Sequence, residues 1–517
     1  MAQIYDVLGD GLSYAVGILQ DVSIFLILLV PLLSAIICGI IGKKRVMELT
    51  SVCAAFITAL SGMALASRVV AMPPGVSPVP RLGGLLYADA LSAYLVLIIC
   101  FIGLLITLYS LGYIGHEYSI GLFGKAKLRQ YYFLLNLFVF TMLLAAVANN
   151  LGVLWVAVEA TTLASAFLVG FYNREESIEA AWKYLIIGSV GITFALFGTV
   201  LVYFSALSVF KAVGSPGTLN WTDLANPSIA TQMDPHILKL AFIFVLIGYG
   251  TKAGLAPMHT WLPDAHSQAP TPISALLSGV LINAAMYGIL RFHYLLAASP
   301  AGPEFSSNLL LFFGLLSIAV ATPFIMVQKD YKRLLAYSSM KHMGIIATGI
   351  GLGTPLAIYG ALLHILNHAL AKAFIFMSAG NLSLKFKTKE IALVKGTAKI
   401  LPMTSALLLL GTFAIMAVPP FNLFVSEFLI LSAGFLGGNF LVGSLVLLLV
   451  VLAFAGFIFH ISHMILGVPI EPLSHGEVNP SSFLPLSILL GLVILLGLYI
   501  PGPLHELLQQ ATKLVKP

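Results

Sequence analysis

Residues 25–41 read FLILLVPLLSAIICGII, an uncharged apolar run of nearly the length that crosses a bilayer. Similar runs recur along the 517-residue chain, of which 59% is hydrophobic and 9% charged. Soluble proteins are about one quarter charged, so this composition excludes a soluble enzyme. The length of the runs excludes a bacterial-type β-barrel, whose short strands alternate apolar and polar residues. We therefore predict an all-α polytopic membrane protein.

Fourteen segments are long and apolar enough to cross a bilayer, which takes about 20 residues. They lie at approximately 22–41, 46–71, 88–112, 130–149, 151–171, 181–209, 236–257, 271–298, 306–328, 332–353, 355–382, 401–436, 440–467 and 483–501. Residues 1–20 could form a short additional apolar segment.

Two of these spans are interrupted by prolines. The seventh contains IGYGTKAGLAPMHTWLPDAHSQAPTP, and the twelfth contains AIMAVPPFNLFVSEFLIL. Broken helices at corresponding positions of two halves are typical of inverted-repeat transporters, although simple kinks are the alternative. We therefore predict two inverted five-helix repeats. The parts are 1–129 with spans 1–3, 130–298 as the first repeat, 306–467 as the second, and 468–517 with the last helix and the C-terminal tail.

Lysine and arginine are distributed unequally between alternate loops, and this bias sets orientation in membrane proteins. One set of loops holds 15 of them, among them Lys125, Arg174 and Lys389, whereas the other set with both termini holds 7, among them Arg291. We expect a multi-pass protein of the cytoplasmic membrane with both termini on the extracytoplasmic side. The net charge of +6 does not indicate nucleic-acid binding, because the positive residues lie between apolar segments.

Ionisable residues inside apolar spans are functional candidates, because a charge at bilayer depth costs about 2.5–3.5 kcal/mol or more. Glu159 lies in the middle of the fifth span, and Lys252 lies just before the break of the seventh. If the two face each other, each favours the charged form of the other, and an arriving proton or cation would break the pair. A static buried ion pair is the alternative.

The eleventh span carries three titratable residues, His364, His368 and Lys372, at steps of four. That spacing places them on one stripe of a helix over about 12 Å. Histidine changes charge near neutral pH, so the stripe suits a proton relay. Polar contacts between helices are one alternative. Zinc binding by His364 and His368 is another, although a third ligand and the glutamate of HExxH are missing.

Further candidates are less clearly placed by the sequence. Glu427 follows the double proline of the twelfth span and is the candidate for the exit end of an ion path. Lys183 begins the sixth span, where it serves the path or reaches to the interface. Lys341 and His342 are ambiguous in the same way, and we count His342 as a path or water-binding candidate.

The three cysteines are scattered through apolar runs rather than clustered. We therefore expect no zinc site, iron–sulfur cluster or other cofactor in this chain. If the protein belongs to a redox complex, its electrons move through partner subunits, and this chain is a non-catalytic, ion-translocating subunit.

Three stretches, WLPDAHSQAPTPISALLSG (261–279), KRLLAYSSMKHMG (332–344) and NHALAKAFIFMSAGN (367–381), resemble one family. It comprises the antiporter-like subunits of complex I (NADH:quinone oxidoreductase), Mrp-type cation/proton antiporters and energy-converting membrane-bound hydrogenases. The resemblance covers roughly spans 3–13, and VLINAAMYGILRFH with NHALAKAFIF looks most like the hydrogenase branch, such as formate hydrogenlyase. It implies fourteen helices in two inverted repeats with broken seventh and twelfth helices.

The resemblance also implies roles for individual residues. The charged positions of the family correspond to Glu159, Lys183, Lys252, His364, His368, Lys372 and Glu427. Many members have a bridging lysine or histidine on the eighth helix, where this chain has Asn283. Asparagine binds water but holds no transferable charge, so the middle of the path would run through water, a neighbouring histidine or another route.

We expect a proton- or sodium-translocating, antiporter-like subunit of a redox-driven multisubunit membrane complex. Its partners would be other membrane subunits and peripheral redox subunits that carry iron–sulfur clusters and a nickel–iron centre. The alternatives are a subunit of a non-redox Mrp-type Na⁺/H⁺ antiporter and, from another class, an intramembrane metalloenzyme that uses His364 and His368.

Overall fold

The structure is a computed structural model that describes residues 22–72, 82–469 and 473–515. The additional segment predicted at 1–20 lies outside these residues. Within them the regular secondary structure is helical, and strand pairing is limited to isolated bridges such as the one between Leu86 and Ala148.

We number the helices in chain order, with one π-helical turn, Leu277–Leu281, between α11 and α12 and one 3₁₀ turn, Pro480–Ser482, before α20. They are α1 (Val22–Ile40), α2 (Lys44–Ala71), α3 (Ala90–Ser119), α4 (Lys125–Val147), α5 (Leu151–Val169), α6 (Glu175–Ala212), α7 (Trp221–Leu224), α8 (Pro227–Ala230), α9 (Pro235–Ala253), α10 (Trp261–Gln268), α11 (Thr271–Leu276), α12 (Ile282–Ala297), α13 (Glu304–Met326), α14 (Tyr331–Gly351), α15 (Pro355–Phe386), α16 (Thr397–Ile400), α17 (Pro402–Ile415), α18 (Asn422–Leu436), α19 (Phe440–Leu466), α20 (Phe483–Leu498) and α21 (Gly502–Val515).

The polytopic all-α prediction is confirmed. In the described ranges, 12 helices are long and apolar enough to cross a membrane. Two of the fourteen predicted spans are not among them. The tenth is α14, whose polar residues lower its hydropathy, and the twelfth is divided into the shorter helices α17 and α18. The count of fourteen crossings therefore stays a prediction.

The first predicted break is a helix end followed by a restart. α9 ends at Ala253, and Gly254 adopts the left-handed conformation (φ 75°) that closes a helix and favours glycine. The chain restarts as α10 at Trp261, whose indole Nε1–H donates to the Thr251 carbonyl over 2.7 Å. This bond satisfies a carbonyl of the last turn of α9, as backbone at membrane depth requires.

The second break is likewise a helix end followed by a restart, with a side chain bonded to a carbonyl of the last turn. α17 ends at Ile415, and α18 begins at Asn422 after the two prolines. The Ile415 carbonyl lies 2.9 Å from His342 Nε2, so a side chain of α14 satisfies it. Both predicted interruptions are therefore real, and neither is a simple kink.

Small residues bring the helices of each half into close contact. A Cβ added at Gly248 of α9 would lie 2.5 Å from Ala195 of α6. One added at Gly344 of α14 would lie 2.7 Å from the carbonyl oxygen of Gly314 in α13. Such close approach is how membrane helices associate without a hydrophobic driving force. α12 and α15 lie almost wholly inside the protein and form its centre.

Candidate functional site

Lys252 lies in the last turn of α9, directly before the first break, and is completely buried. Its Nζ donates to the Tyr184 hydroxyl of α6 over 3.3 Å and lies 4.7 Å from the centre of the same ring. Gly188 of α6 lies beside it, since a Cβ built there would be in van der Waals contact with Nζ at 3.5 Å. A buried lysine of this kind is suited to exchanging its proton.

Glu159 of α5 does not form a direct ion pair with Lys252. Its carboxylate accepts hydrogen bonds from Ser189 of α6 at 2.6 Å and from Thr162 at 3.1 Å. The facing pair that we considered is therefore corrected: hydrogen bonds from two hydroxyl groups satisfy the carboxylate instead.

Lys183 lies at the exposed end of α6. Its side chain is 47% exposed and pairs with Glu179 at 2.5 Å and with Asp264 of α10 at 3.3 Å. Arg333 of α14 contacts the same aspartate. The interfacial alternative is thus the one that the geometry favours, and these ion pairs tie α6, α10 and α14 together.

His266 of α10 is a residue that the sequence interpretation missed. It is completely buried, and neither ring nitrogen has a hydrogen-bond partner in the described chain. Its ring lies 6.4 Å from Trp261, on the Lys252 side, and 5.7 Å from Phe376 of α15, on the side of Lys372. The signal was present in WLPDAHSQAPTP, because a histidine follows the break between two apolar spans.

Asn283 lies beside the π-helical turn and is buried. Its Nδ2 donates to the Gly279 carbonyl over 2.8 Å, whereas its Oδ1 has no partner in the described chain. π-helical turns are frequent at functional sites. A water-binding role for Asn283 stays a prediction, and His266 supplies the titratable group that Asn283 does not.

The stripe of three residues on α15 is completely buried, as the spacing of four predicted. Lys372 donates to the Leu335 carbonyl of α14 over 2.6 Å and contacts the Ser338 hydroxyl. His364 lies 2.9 Å from the Ser426 hydroxyl through Nδ1. His368 has no hydrogen-bond partner in the described chain, and its ring lies 5.3 Å from that of His342.

His342 and Lys341, which the sequence left ambiguous, are at the centre of the second half. His342 Nδ1 lies 3.0 Å from His364 Nε2 and 3.5 Å from Glu427 Oε1. Lys341 Nζ lies 3.8 Å from the same carboxylate oxygen. α14 thus inserts a lysine and a histidine between the predicted stripe and the predicted exit residue.

These residues form one row that crosses both halves, which we call the polar axis. Its members are Lys252, His266, Lys372, His368, His342, His364, Lys341 and Glu427. Within the histidine cluster, the ring of His342 lies 5.1 Å from that of His364 and 5.3 Å from that of His368. His266 is linked to the Lys252 side by the ring of Trp261 and to Lys372 by the ring of Phe376. A bridging water or a side-chain rotation closes gaps of this size. The axis therefore has the groups that a proton relay needs.

The structure brings together a different set of candidate zinc ligands from the one that the sequence indicated. His342, His364 and Glu427, rather than His364 and His368, are brought together, with one potential ligand atom from each inside 4.8 Å. However, the two histidines are hydrogen-bonded to each other, and the Lys341 ammonium lies beside the carboxylate. A neighbouring cation opposes a divalent ion, so this cluster favours proton exchange.

Two residues counted as loop charges have other positions. Arg291 is buried in α12 and holds Asp89 through two bonds of 2.6 and 2.8 Å. Lys332 is buried at the start of α14 and donates to the Ala269 carbonyl over 2.6 Å. The loop inventory is corrected on both counts. Since one residue leaves each set, the charge bias remains.

The broken helices and the buried polar axis define an antiporter-like membrane subunit. Residues 148–455 match the family described as NADH:quinone oxidoreductase/Mrp antiporter, transmembrane. Residues 85–123 match the N-terminal segment of chain 5 of NADH–ubiquinone oxidoreductase (complex I). The first match covers more than half of the chain, which therefore belongs to this family.

Individual relatives agree with this membership. The hydrogenase-4 component F homolog of Methylacidiphilum infernorum is 41% identical over 441 residues, which are 84% of this chain and 89% of that protein. A chain of the membrane-bound sulfane sulfur reductase, an archaeal respiratory complex, has a TM-score of 0.83 at 26% identity, covering 95% of this chain and 97% of that one. A chain of Thermus thermophilus respiratory complex I shares the fold, with a TM-score of 0.76 at 23% identity over 95% of this chain and 99% of that one.

Proposed function

We propose that the chain is the proton-translocating subunit of a redox-driven membrane complex of the hydrogenase type. The observation that carries this proposal is the polar axis, seven members of which are completely buried lysines and histidines in a membrane protein. Ionisable groups at membrane depth are costly and mark ion paths. The 41% identity to a hydrogenase-4 component F homolog supports the branch.

The chemistry of the axis favours H⁺ over Na⁺. A hard cation takes several oxygen ligands. The axis instead presents the nitrogens of three lysines and four histidines and the carboxylate of Glu427. These nitrogens accept and release protons, but as ammonium or imidazolium groups they repel a sodium ion. The Lys341–Glu427 pair, at 3.8 Å, places positive charge even at the carboxylate.

Coupling would act through the electric field along the axis. A charge arriving at Lys252 would shift the equilibrium between the protonated and neutral forms of His266 and Lys372. That shift would reach the Lys341–Glu427 pair through the cluster of His342, His364 and His368. Such a shift occurs only to the extent that the two states interact differently with the arriving charge. Glu159 would tune the first step through its field at Lys252, and Glu427 would release the proton.

The test is proton uptake by membrane vesicles that contain the assembled complex, driven by its own redox reaction. Lys252→Ala and Lys372→Met should abolish uptake while the complex still assembles. Lys239→Gln, on the same helix as Lys252 and over the Phe305 ring, is the matched control. Uptake that survives in both axis variants would refute the path. A requirement for Na⁺ in the medium would refute the proposal that H⁺, rather than Na⁺, is the transported ion.

Partners and placement belong to the same proposal. The chain would assemble with other membrane subunits and with peripheral subunits that carry iron–sulfur clusters and a nickel–iron centre. It would lie in the cytoplasmic membrane with both termini outside. Purification through a tag on this chain tests the assembly: co-purifying iron–sulfur or nickel–iron subunits support it, whereas only small hydrophobic partners would indicate the Mrp-type alternative.

A further inference from the structure

A cavity of about 440 Å³ opens between helix ends at the face whose loops carry Lys125, Arg174 and Lys389, which we call the basic face. Its wall includes Glu117 from α3 and Lys332 from α14. A molecule of liquid water occupies about 30 Å³, so the cavity is roomy enough for a connected group of waters. Polar side chains for them to bond are present on several sides.

The two buried ionisable groups of this cavity stand at helix ends where their charged forms are disfavoured. Glu117 is 6% exposed in the last turn of α3, and Lys332 is 3% exposed in the first turn of α14. The helix dipole disfavours an anion at a C-terminus and a cation at an N-terminus. Burial adds a desolvation cost for each. Stability therefore does not explain either charge.

Both groups are held in place by polar partners. The Tyr172 hydroxyl lies 2.8 and 2.9 Å from the two carboxylate oxygens of Glu117. Lys332 donates to Ala269, three residues after His266. Opposite them, Lys389 donates to the Ser267 carbonyl and to Gln268, both over 2.9 Å. Burial lowers the pKa of the Lys389 ammonium.

The inner end of the cavity adjoins the polar axis. Ala269, which shares the wall with Lys332 and accepts its hydrogen bond, follows His266 by three residues. The α14 groups that hold Lys372, the Leu335 carbonyl and the Ser338 hydroxyl, lie only one to two turns beyond Lys332. Lys183, at the exposed end of α6, is not part of this wall.

We propose that this cavity is the proton-uptake vestibule of the basic face, an inference that rests on the proposed function. Glu117 is its proton-binding site, and Lys332 is the next acceptor. A cavity water delivers a proton to the Glu117 carboxylate, which becomes a carboxylic acid. The acid then passes this proton through water to the neutral Lys332 amine and returns to carboxylate. Lys332 passes it to His266 or Lys372. Each transfer moves one proton to a lone pair, and no electron is required.

The first test is the accessibility of the cavity in vesicles with the assembled complex. In a Cys53→Ser background, which removes the one exposed cysteine of the described chain, Ser383→Cys in the wall is treated with a membrane-impermeant thiol reagent. We expect labelling from the basic face only, with a loss of proton uptake. Ser378→Cys, buried on the same helix, should remain unlabelled. An unreactive Ser383→Cys overturns the vestibule.

The second test is Glu117→Gln, which keeps the shape and the Tyr172 contact but removes the proton site. Proton uptake should fall at least about tenfold, because a positioned acid–base group typically contributes about 10²–10⁴-fold to a proton-transfer step. Glu175→Gln, exposed at the same face, should change nothing. Unchanged uptake in Glu117→Gln overturns the assignment while Lys252→Ala still blocks transport. If Lys252→Ala also transports, the proposed function itself has failed.

Discussion

Asp89 and Arg291 form a buried pair whose charge contribution can be isolated by one substitution. Asp89 precedes α3 and also caps it, since its carboxylate accepts the Ser92 backbone N–H at 2.9 Å. Arg291 donates to both carboxylate oxygens and, through Nη2, to the Tyr287 hydroxyl at 2.9 Å. Its guanidinium lies 4.3 Å from the Trp221 ring centre. Asp89→Asn retains a capping oxygen but leaves a cation without its counter-charge.

The expected cost follows from burial. The side chains are 4% and 7% exposed, so water cannot replace the lost partner. Removing one member of such a pair costs about 3–5 kcal/mol, or about two to nearly four orders of magnitude in the folded population. The retained cap places Asp89→Asn at the lower end, because Asp89→Ala would add about 1 kcal/mol for the cap.

A double-variant cycle tests this reasoning. Unfolding of the purified complex in detergent is followed for Asp89→Asn, Arg291→Met and the combination. The double variant should cost clearly less than the sum of the single ones, because it buries no unpaired charge. Additive costs, or a single Asp89→Asn variant as stable as the parent, would show that the pair does not carry the stated energy.

Three further substitutions separate roles that the structure assigns to different residues. His266→Gln should abolish proton uptake in vesicles without loss of assembly, because it removes the titratable group between the two halves; normal uptake would contradict this. Lys183→Gln should leave uptake within about twofold, since that ammonium is exposed and pairs with Asp264, and a complete block measured in the same assay would return it to the path. Trp261→Phe should lower stability by about 0.5–1.5 kcal/mol, seen as earlier thermal unfolding, because the Thr251 carbonyl loses one of its two donors and keeps only the Gly254 N–H, at 3.2 Å.

Features that arise within one helix were predictable from the sequence. The four-residue spacing of His364, His368 and Lys372 placed them on one stripe, and all three are buried together. Prolines and a glycine marked both breaks, since these residues end helices irrespective of what packs around them. Apolar length predicted most of the spans.

Features that depend on two distant helices were not predictable. Nothing in the spacing of Glu117 and Lys332 shows that they wall one cavity, because α3 and α14 meet only in the folded protein. Lys341 and His342 were ambiguous, since only the position of Glu427 shows that they face the axis. Arg291 was counted among the loop charges for the same reason, since only the position of Asp89 shows that it is buried and paired. Tertiary contacts, rather than local periodicity, decide such positions.

The breaks and the buried charges are linked by the backbone groups that each break frees. At the second break, the Ile415 carbonyl is bonded by His342, which also contacts His364 and Glu427. At the first break, the Thr251 carbonyl is bonded by Trp261, whose ring packs against Tyr184, the partner of Lys252, with centres 4.7 Å apart. A change in the charge of Lys252 or His342 therefore acts on groups that fix the ends of α9 and α17. Broken helices at membrane depth need such partners for their freed backbone groups, so the residues that we propose to carry a proton also lie where the helix ends are held.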